Sequence, residues 1–411
     1  MIVEIGKFAN QADGAVTVRY GGTVVLVTAV MSKETRGEMD YMPLMVDYEE
    51  KFYAAGKIKG SRFMKREGKA PDDAVLSGRL IDRTIRPRFD QKIRNEIQII
   101  APVLSFDKEN DPDILALFGA SLALLISDIP WNGPVAGLRV GMIDGQWLLN
   151  PSYENRQKSQ FDVVVAGTKD KINMLEAGAD EIPEEVMLSA IEFGHKYLQK
   201  IIELQDQIAK EIGNPKRKIE INKPDEKFHK DALDFLTNDL EKFIYEKDKQ
   251  KRRNNLDALK KKFIEYVEKS YPNDKLKINH AYTILEEETD RIVHKNILEK
   301  EMRPDGRKLD EIRPLSCEVA VLPCIHGSGL FQRGETQALS VLTLGAPDDE
   351  IIIETMEIDE KRRFMHHYNF PPFSVGEVKP MRGPGRRDIG HGALAEKAIF
   401  PLIPQKETFP Y

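Results

Sequence analysis

Three observations on the 411-residue chain predict an α/β fold of the α+β kind, with two related cores joined by an all-α domain. Both ends are rich in β-branched runs punctuated by glycine. From about residue 215 to 300 glycine vanishes, charge dominates, and the apolar residues keep helical spacing. After Met302 the strand-and-glycine character returns, in sequence that repeats the first stretch. The expected boundaries are 1–213 for the first core, 214–300 for the helical domain and 301–411 for the second core.

Taken in order, Val16–Tyr20 and Thr23–Val30 are β-branched runs separated by Gly21-Gly22, a hairpin signal. Asn110-Asp111-Pro112-Asp113 opens a helix, with Asp111 as cap and Pro112 at the first helical position. The following run, Ile114–Ile126, is too short to span a bilayer and reads as a buried helix whose small face, Gly119, Ala120 and Ala123, permits close packing. Phe161–Ala166 is a short apolar strand turned by Gly167-Thr168. A long helix follows Pro183, with Met187, Ile191, Leu198, Ile201, Ile208 and Ile212 near one face, and stops at Gly213-Asn214-Pro215. In the middle, Ala232–Tyr245 and Leu256–Val267 read as helices. The basic clusters Lys249–Arg253 and Lys260–Lys262 have acids interleaved, so a solvated helix face is favoured over an RNA contact.

The repeat is specific. Gly14–Thr23 aligns without gaps on Gly327–Thr336, and each is followed by an apolar strand, Val24–Val30 and Ala338–Leu344. Tyr48 and Gly56 match Tyr368 and Gly376, and Gly78–Pro87 matches Gly392–Pro401. Copy one runs on for more than 100 residues past Pro87, whereas copy two ends ten residues past Pro401. The second core is therefore expected to be incomplete, with unpaired strands and apolar surface left open.

Composition narrows the classes. Hydrophobic residues make up 41% and charged residues 31%, as in a soluble globular protein. With 61 basic and 67 acidic residues the net charge is −6, so nucleic-acid binding must come from local basic patches. Cys317 and Cys324 fit neither a disulfide framework nor a zinc pattern and read as free thiols. The opening MIVEIGKFAN lacks the basic and apolar regions of a signal peptide, so a cytoplasmic protein is expected.

Three segments could carry chemistry. In Arg382–Gly392, glycines let the backbone approach a ligand, and Arg386 and Arg387 offer planar forks for phosphate oxygens, with His391 as a further donor. A surface loop with an Arg–Asp pair is the plainer reading. In Arg62–Arg66, basic residues flank Phe63, a combination suited to phosphate contact with base stacking. On a helix Arg79, Asp82, Arg83 and Arg86 share a face, where they either brace an acid or meet a polyanion. His366-His367 adjoin in an expected strand, with side chains on opposite faces, and make a poor metal pair.

At these residues the chain resembles the N-terminal part of the bacterial polynucleotide phosphorylase family. The resemblance is carried by Arg303–Arg307, Arg313-Pro314, His326–Gln337, Thr343–Gly345, Phe370–Phe373, Gly385–Gly392 and Phe409–Tyr411 in order. In copy one it is carried by Gly78–Pro87, Asn132–Pro134 and Val163–Thr168. It implies two ribonuclease PH-like cores (of the ribosomal protein S5 domain 2 type), in a ring-shaped homotrimer, with possible RNA-degradation complex partners and no membrane. The implied activity is 3′-to-5′ phosphorolysis of single-stranded RNA, mRNA included, with inorganic phosphate as co-substrate, nucleoside 5′-diphosphates as products, and Mg²⁺ assisting. It is reversible, and the type is a polyribonucleotide nucleotidyltransferase.

Carried over residue by residue, Arg386, Arg387 and His391 match second-core active-site positions. Phe63, Lys65 and Arg66 match a loop that grips RNA, and Arg79, Arg83 and Arg86 match a first-core arginine cluster. Met64 stands for the family's second aromatic and Lys65 for its first arginine, which weakens stacking and bidentate contact. The phosphate-binding serines and the metal ligands are expected beyond residue 411, so no metal ligand is assigned and this chain alone is expected to be inactive. Copy one has Asn110–Asp113 at the helix start, where two acids repel phosphate and Pro112 has no N–H to give, and Val164 where a lysine is needed. It reads as a non-catalytic scaffold and RNA guide. The alternative for the chain is a non-catalytic RNA-binding ring subunit.

Overall fold

The computed structural model describes residues 1–35, 41–60, 64–219 and 223–411. The chain forms two compact units, one of residues 1–219 with 345–411 and the other of residues 220–344.

The first unit opens with β1 (Ile2–Ile5), β2 (Gly14–Tyr20) and β3 (Thr23–Thr35). The β2–β3 hairpin turns where the sequence predicts, with Gly21 at φ +58°. β3 runs further than Val30 because its outer half pairs with a later strand, to Thr35 opposite Asn95. There follow β4 (Leu44–Glu49), α1 (Asp72–Ile85), β5 (Asn95–Ser105) and α2 (Pro112–Ile126). The sheet order is β1-β2-β3-β5-β4, with β4 parallel to β5. Helix α2 is buried at nearly every residue and lies on β2 and β3. Its small face is required: a Cβ on Gly119 would stand 2.5 Å from Val27 Cγ2.

A second sheet, order β7-β6-β8-β9, is made by β6 (Ala136–Ile143), β7 (Gln146–Leu149), β8 (Phe161–Gly167) and β9 (Ile172–Ala179), with the short α3 (Tyr153–Lys158) between. Helix α4 (Glu184–Ile212) covers it. Its buried seam is Ala190, Gly194, Leu198, Ile202 and Gln205, so Ile212, expected on the apolar face, is exposed. Gln205 was invisible to an apolar count; its Nε2 donates to Val135 O. Gly213 ends the helix in extended geometry, and a Cβ there would meet Ala209 O at 2.4 Å.

The second unit holds α5 (Glu226–Leu236), α6 (Leu240–Ile244), α7 (Lys249–Ser270) and α8 (Lys275–Lys300), around Phe228, Leu236, Phe263, Val267 and Ile284. The expected helix Ala232–Tyr245 breaks after Leu236, where Thr237 Oγ1 turns back onto Leu233 O, and restarts at Leu240. Arg252 donates to Glu246 O, Lys260 lies 4.8 Å over the Tyr282 ring, and Lys249 pairs with Glu335. Strands β10 (Leu315–Val319), β11 (Gly327–Arg333) and β12 (Thr336–Leu342) form an antiparallel sheet. Gly334 at φ +60° stands in the turn where copy one has Gly21. Every residue of β10 and β12 is exposed. Cys317 and Cys324 are free and exposed.

The chain then returns to the first unit with β13 (Ile351–Glu354), β14 (Asp359–Arg362) and α9 (Arg386–Ile399). The repeat is structural: α1 begins at 72 and ends at 85, α9 begins at 386 and ends at 399, the same offset at both ends. Gly56 and Gly376 both take left-handed backbone, at φ +68° and +71°. His366 and His367 are not in a strand, contrary to expectation, because β14 stops at Arg362. Among the described residues no helix is long and apolar enough to cross a membrane.

Candidate functional site

The two repeat helices α1 and α9 pack on each other. They can approach because Gly390 is buried beneath Arg79: an added Cβ would lie 2.5 Å from Arg79 Cδ and 2.8 Å from Nε. Helix α9 is opened by Gly385, whose N–H donates to Asp388 Oδ2 at 2.9 Å, so the first turn presents Arg386 and Arg387 next to unsatisfied backbone donors. Arg79 has its pKa pulled below the usual arginine value, first by burial, then by the adjacent charge of Arg83, with Arg387 adding and Asp82 opposing. Two further guanidinium groups, one from each sequence copy, therefore act on Arg79. Among the described residues none of the three has a carboxylate within 4 Å.

Arg86 is placed differently. It is paired with Asp82 at 2.6 Å and donates to the carbonyls of Met42 and Leu44, so its donors are committed within the fold. Arg386 points to β4, with Nη1 2.5 Å from Asp47 Oδ1 and 3.4 Å from Val46 O. His391 stands edge-on to Tyr368, ring centroids 4.5 Å apart. Lys65 and Arg66 are exposed, and Lys65 Nζ donates to Lys59 O at 3.2 Å. Phe63 lies outside the described residues.

Copy one has the opposite charge. Asp72 and Asp73 occupy the places of Arg386 and Arg387. At the start of α2, Asp111 caps the helix and accepts from Asp113 N. Arg139, buried on β6, reaches Asp111 at 2.9 Å, Asp113 at 2.6 Å and Asp162 at 2.6 Å, and Arg156 reaches Asp111 at 2.7 Å and Asp162 at 3.3 Å. An anion site at this helix end is thus already filled by the protein's own carboxylates. Burial raises the Asp113 carboxyl well above the usual range, whereas Arg139 and Arg156 overcome burial to lower Asp111. Nearby, burial and then Glu357 push Glu50 up to about 8, and burial and then Asp111 push Glu357 to about 7. Tyr153 OH donates to Glu357 Oε1 at 2.8 Å.

Sequence reading missed Arg139, Arg156, Asp47, Glu50 and Glu357. The one available signal was Arg139 itself, a charge inside the apolar strand Ala136–Ile143. Among the described residues no group of three or more His, Cys, Asp or Glu is arranged to hold a metal ion.

Comparison with known proteins agrees with this architecture. The model of the 3′ exoribonuclease family, domain 1, matches residues 1–130 and 311–411, and that of domain 2 of the same family matches 133–197. The polyribonucleotide nucleotidyltransferase RNA-binding domain matches 227–308. Polyribonucleotide nucleotidyltransferases from Syntrophomonas wolfei, Heliobacterium modesticaldum and Bacillus pumilus are 51%, 48% and 49% identical over 411 residues. All of this chain is covered in each case, and 58%, 57% and 58% of those relatives. The fold and its paired cores are thus of the 3′ exoribonuclease class. Within that class the chain belongs to the polyribonucleotide nucleotidyltransferase family, spanning somewhat over half the length of these relatives.

Proposed function

We propose that the whole protein degrades single-stranded RNA from its 3′ end by phosphorolysis. An oxygen of inorganic phosphate attacks the terminal phosphodiester phosphorus, and the bond to the preceding 3′ oxygen breaks. A nucleoside 5′-diphosphate leaves, and the RNA keeps a 3′ hydroxyl one nucleotide shorter. The reverse reaction extends RNA from diphosphates. The observation that carries this reading is that Arg83 and Arg387 both act on Arg79 where α1 packs on α9, none of the three ion-paired among the described residues. The names of the relatives support it.

In this reading Arg386, Arg387 and His391 act at the reacting phosphates, and Arg79 and Arg83 hold the RNA backbone. Arg86 braces the base of α1. Phe63, Lys65 and Arg66 grip the strand. Mg²⁺ belongs to the family's chemistry, but the described residues offer it no ligand set, so no step here passes through it. Residues 1–213 form a non-catalytic core that guides RNA, 214–300 a helical RNA-binding domain and 301–411 part of the second core, in a cytoplasmic homotrimer open to RNA-degradation partners. The charge-inverted copy-one site supports the scaffold role.

The test is to incubate the full-length protein with a 3′-labelled RNA, with and without inorganic phosphate. Diphosphates that appear only with phosphate are expected. RNA retained without turnover would overturn the catalytic reading.

A further inference from the structure

Arg386 and Arg387 adjoin in sequence but have different surroundings. The charge of Arg387 acts on Arg79, against which α9 packs at Gly390, while Arg386 lies 2.5 Å from Asp47 on β4, a strand of the first copy. Asp47 is itself fixed. Its Oδ2 accepts from Gln98 Nε2 on β5 at 3.0 Å. Its Oδ1 is shielded from water with no hydrogen-bonded partner, which leaves Arg386 as the cation that compensates it. The matching positions of the other copy carry exchanged signs, without an ion pair between them. By the offset that matches Tyr48 to Tyr368, His367 stands where Asp47 does, and by the different offset that matches the two helix starts, Asp72 stands where Arg386 does. His367 is among the groups acting on Asp72, whose carboxyl is raised by burial and by Asp73 and lowered by His367 and Arg362. In both copies the charge at the helix start is thus influenced by the matching position of the other copy.

We infer that Asp47, in the non-catalytic copy, is a positioning residue that holds Arg386 apart from Arg387 and limits the positive charge offered to RNA. The inference rests on the phosphorolytic reading above. With Asp47 in place, Arg386 is aimed at the reacting phosphate instead of collapsing onto the nearest backbone phosphate. Without it, Arg386 becomes one more ordinary phosphate contact: binding tightens and turnover slows.

The test is fluorescence anisotropy of a labelled oligoadenylate on the full-length protein across a salt series, with phosphorolysis kinetics alongside. For Asp47→Asn, which keeps the shape and the bond to Gln98, the slope of log K against log salt should steepen by about 0.7, one added single-strand phosphate contact. Its kcat should fall about tenfold while its KM for RNA falls too, a split that a merely structural defect does not produce. Asp47→Glu should restore kcat. Should Asp47→Asn fail to fold, Asp47→Ser decides by the same two readouts. An unchanged slope and kcat in the Asp47 variant that folds would overturn the inference alone. Wild-type protein that binds no RNA would overturn the functional reading and the inference together.

Discussion

Replacing Arg139 by methionine keeps most of the side-chain volume and deletes the charge at the centre of the copy-one network. The Arg139 side chain is 6% exposed and lies within 2.9 Å of Asp111, Asp113 and Asp162. Arg156 still reaches Asp111 and Asp162, so the carboxylate that loses its ion-pair partner is Asp113. Removing one partner of a buried pair costs about 3–5 kcal/mol. The lower end, about 3 kcal/mol, is expected here, because burial already favours the protonated form of Asp113 and it can take up a proton. The assay is urea unfolding followed by tryptophan fluorescence. The chain's two tryptophans, Trp131 and Trp147, both lie in the first unit, so the signal reports that unit. In Arg139→Met with Asp113→Asn the stranded charge is gone, and at least about 1 kcal/mol should return, as for coupled neighbours. A loss under about 1 kcal/mol in the single variant, or a further loss in the double variant, would refute the network as an electrostatic unit.

Other expectations follow from the same geometry. Glu50 and Glu357 have folded-state pKa values near 8 and 7, above an ordinary carboxyl. Their stabilising contribution is complete below about pH 4.5 and is lost as pH rises through 7 and 8. Unfolding measured from pH 5 to 9 should show a decline that Glu50→Gln and Glu357→Gln each flatten; parallel curves for variants and wild type would contradict this. Arg79→Gln and Arg83→Gln should each reduce the salt dependence of RNA binding by about 0.7 in slope with little change in stability. Arg86→Gln should do the reverse, since it strips Asp82 and two carbonyls of their partner, and equal effects of the three in the salt series would count against the assignment.

Local chemistry made much of the fold readable from sequence. The Gly21 and Gly334 turns, the apolar run of α2 and the gapless repeat are all statements about neighbours along the chain, and the folded elements follow them closely. Boundaries were less readable where a distant partner sets them. β3 is prolonged by β5, and the seam of α4 is drawn toward Gln205 by the carbonyl of Val135. The site follows the same division. Arg79, Arg83, Arg386 and Arg387 stand out as basic clusters in sequence, yet only packing through Gly390 brings α1 to α9. Asp47 is one acid among 67 acidic residues until the fold sets it against Arg386, 339 positions away. The sequence alone shows the copy-one acids as hostile to phosphate. The arginines that hold them come from β6 and α3 and left almost no local trace.

The most direct measurement of the central claim follows the phosphorus. Full-length protein is given unlabelled RNA and ³²P-labelled inorganic phosphate, and the released nucleotides are separated. Attack by phosphate places the label in the β-phosphate of nucleoside 5′-diphosphates, in amounts equal to the nucleotides removed from the 3′ end. Unlabelled nucleoside monophosphates would mean that water is the nucleophile, and would contradict phosphorolysis outright.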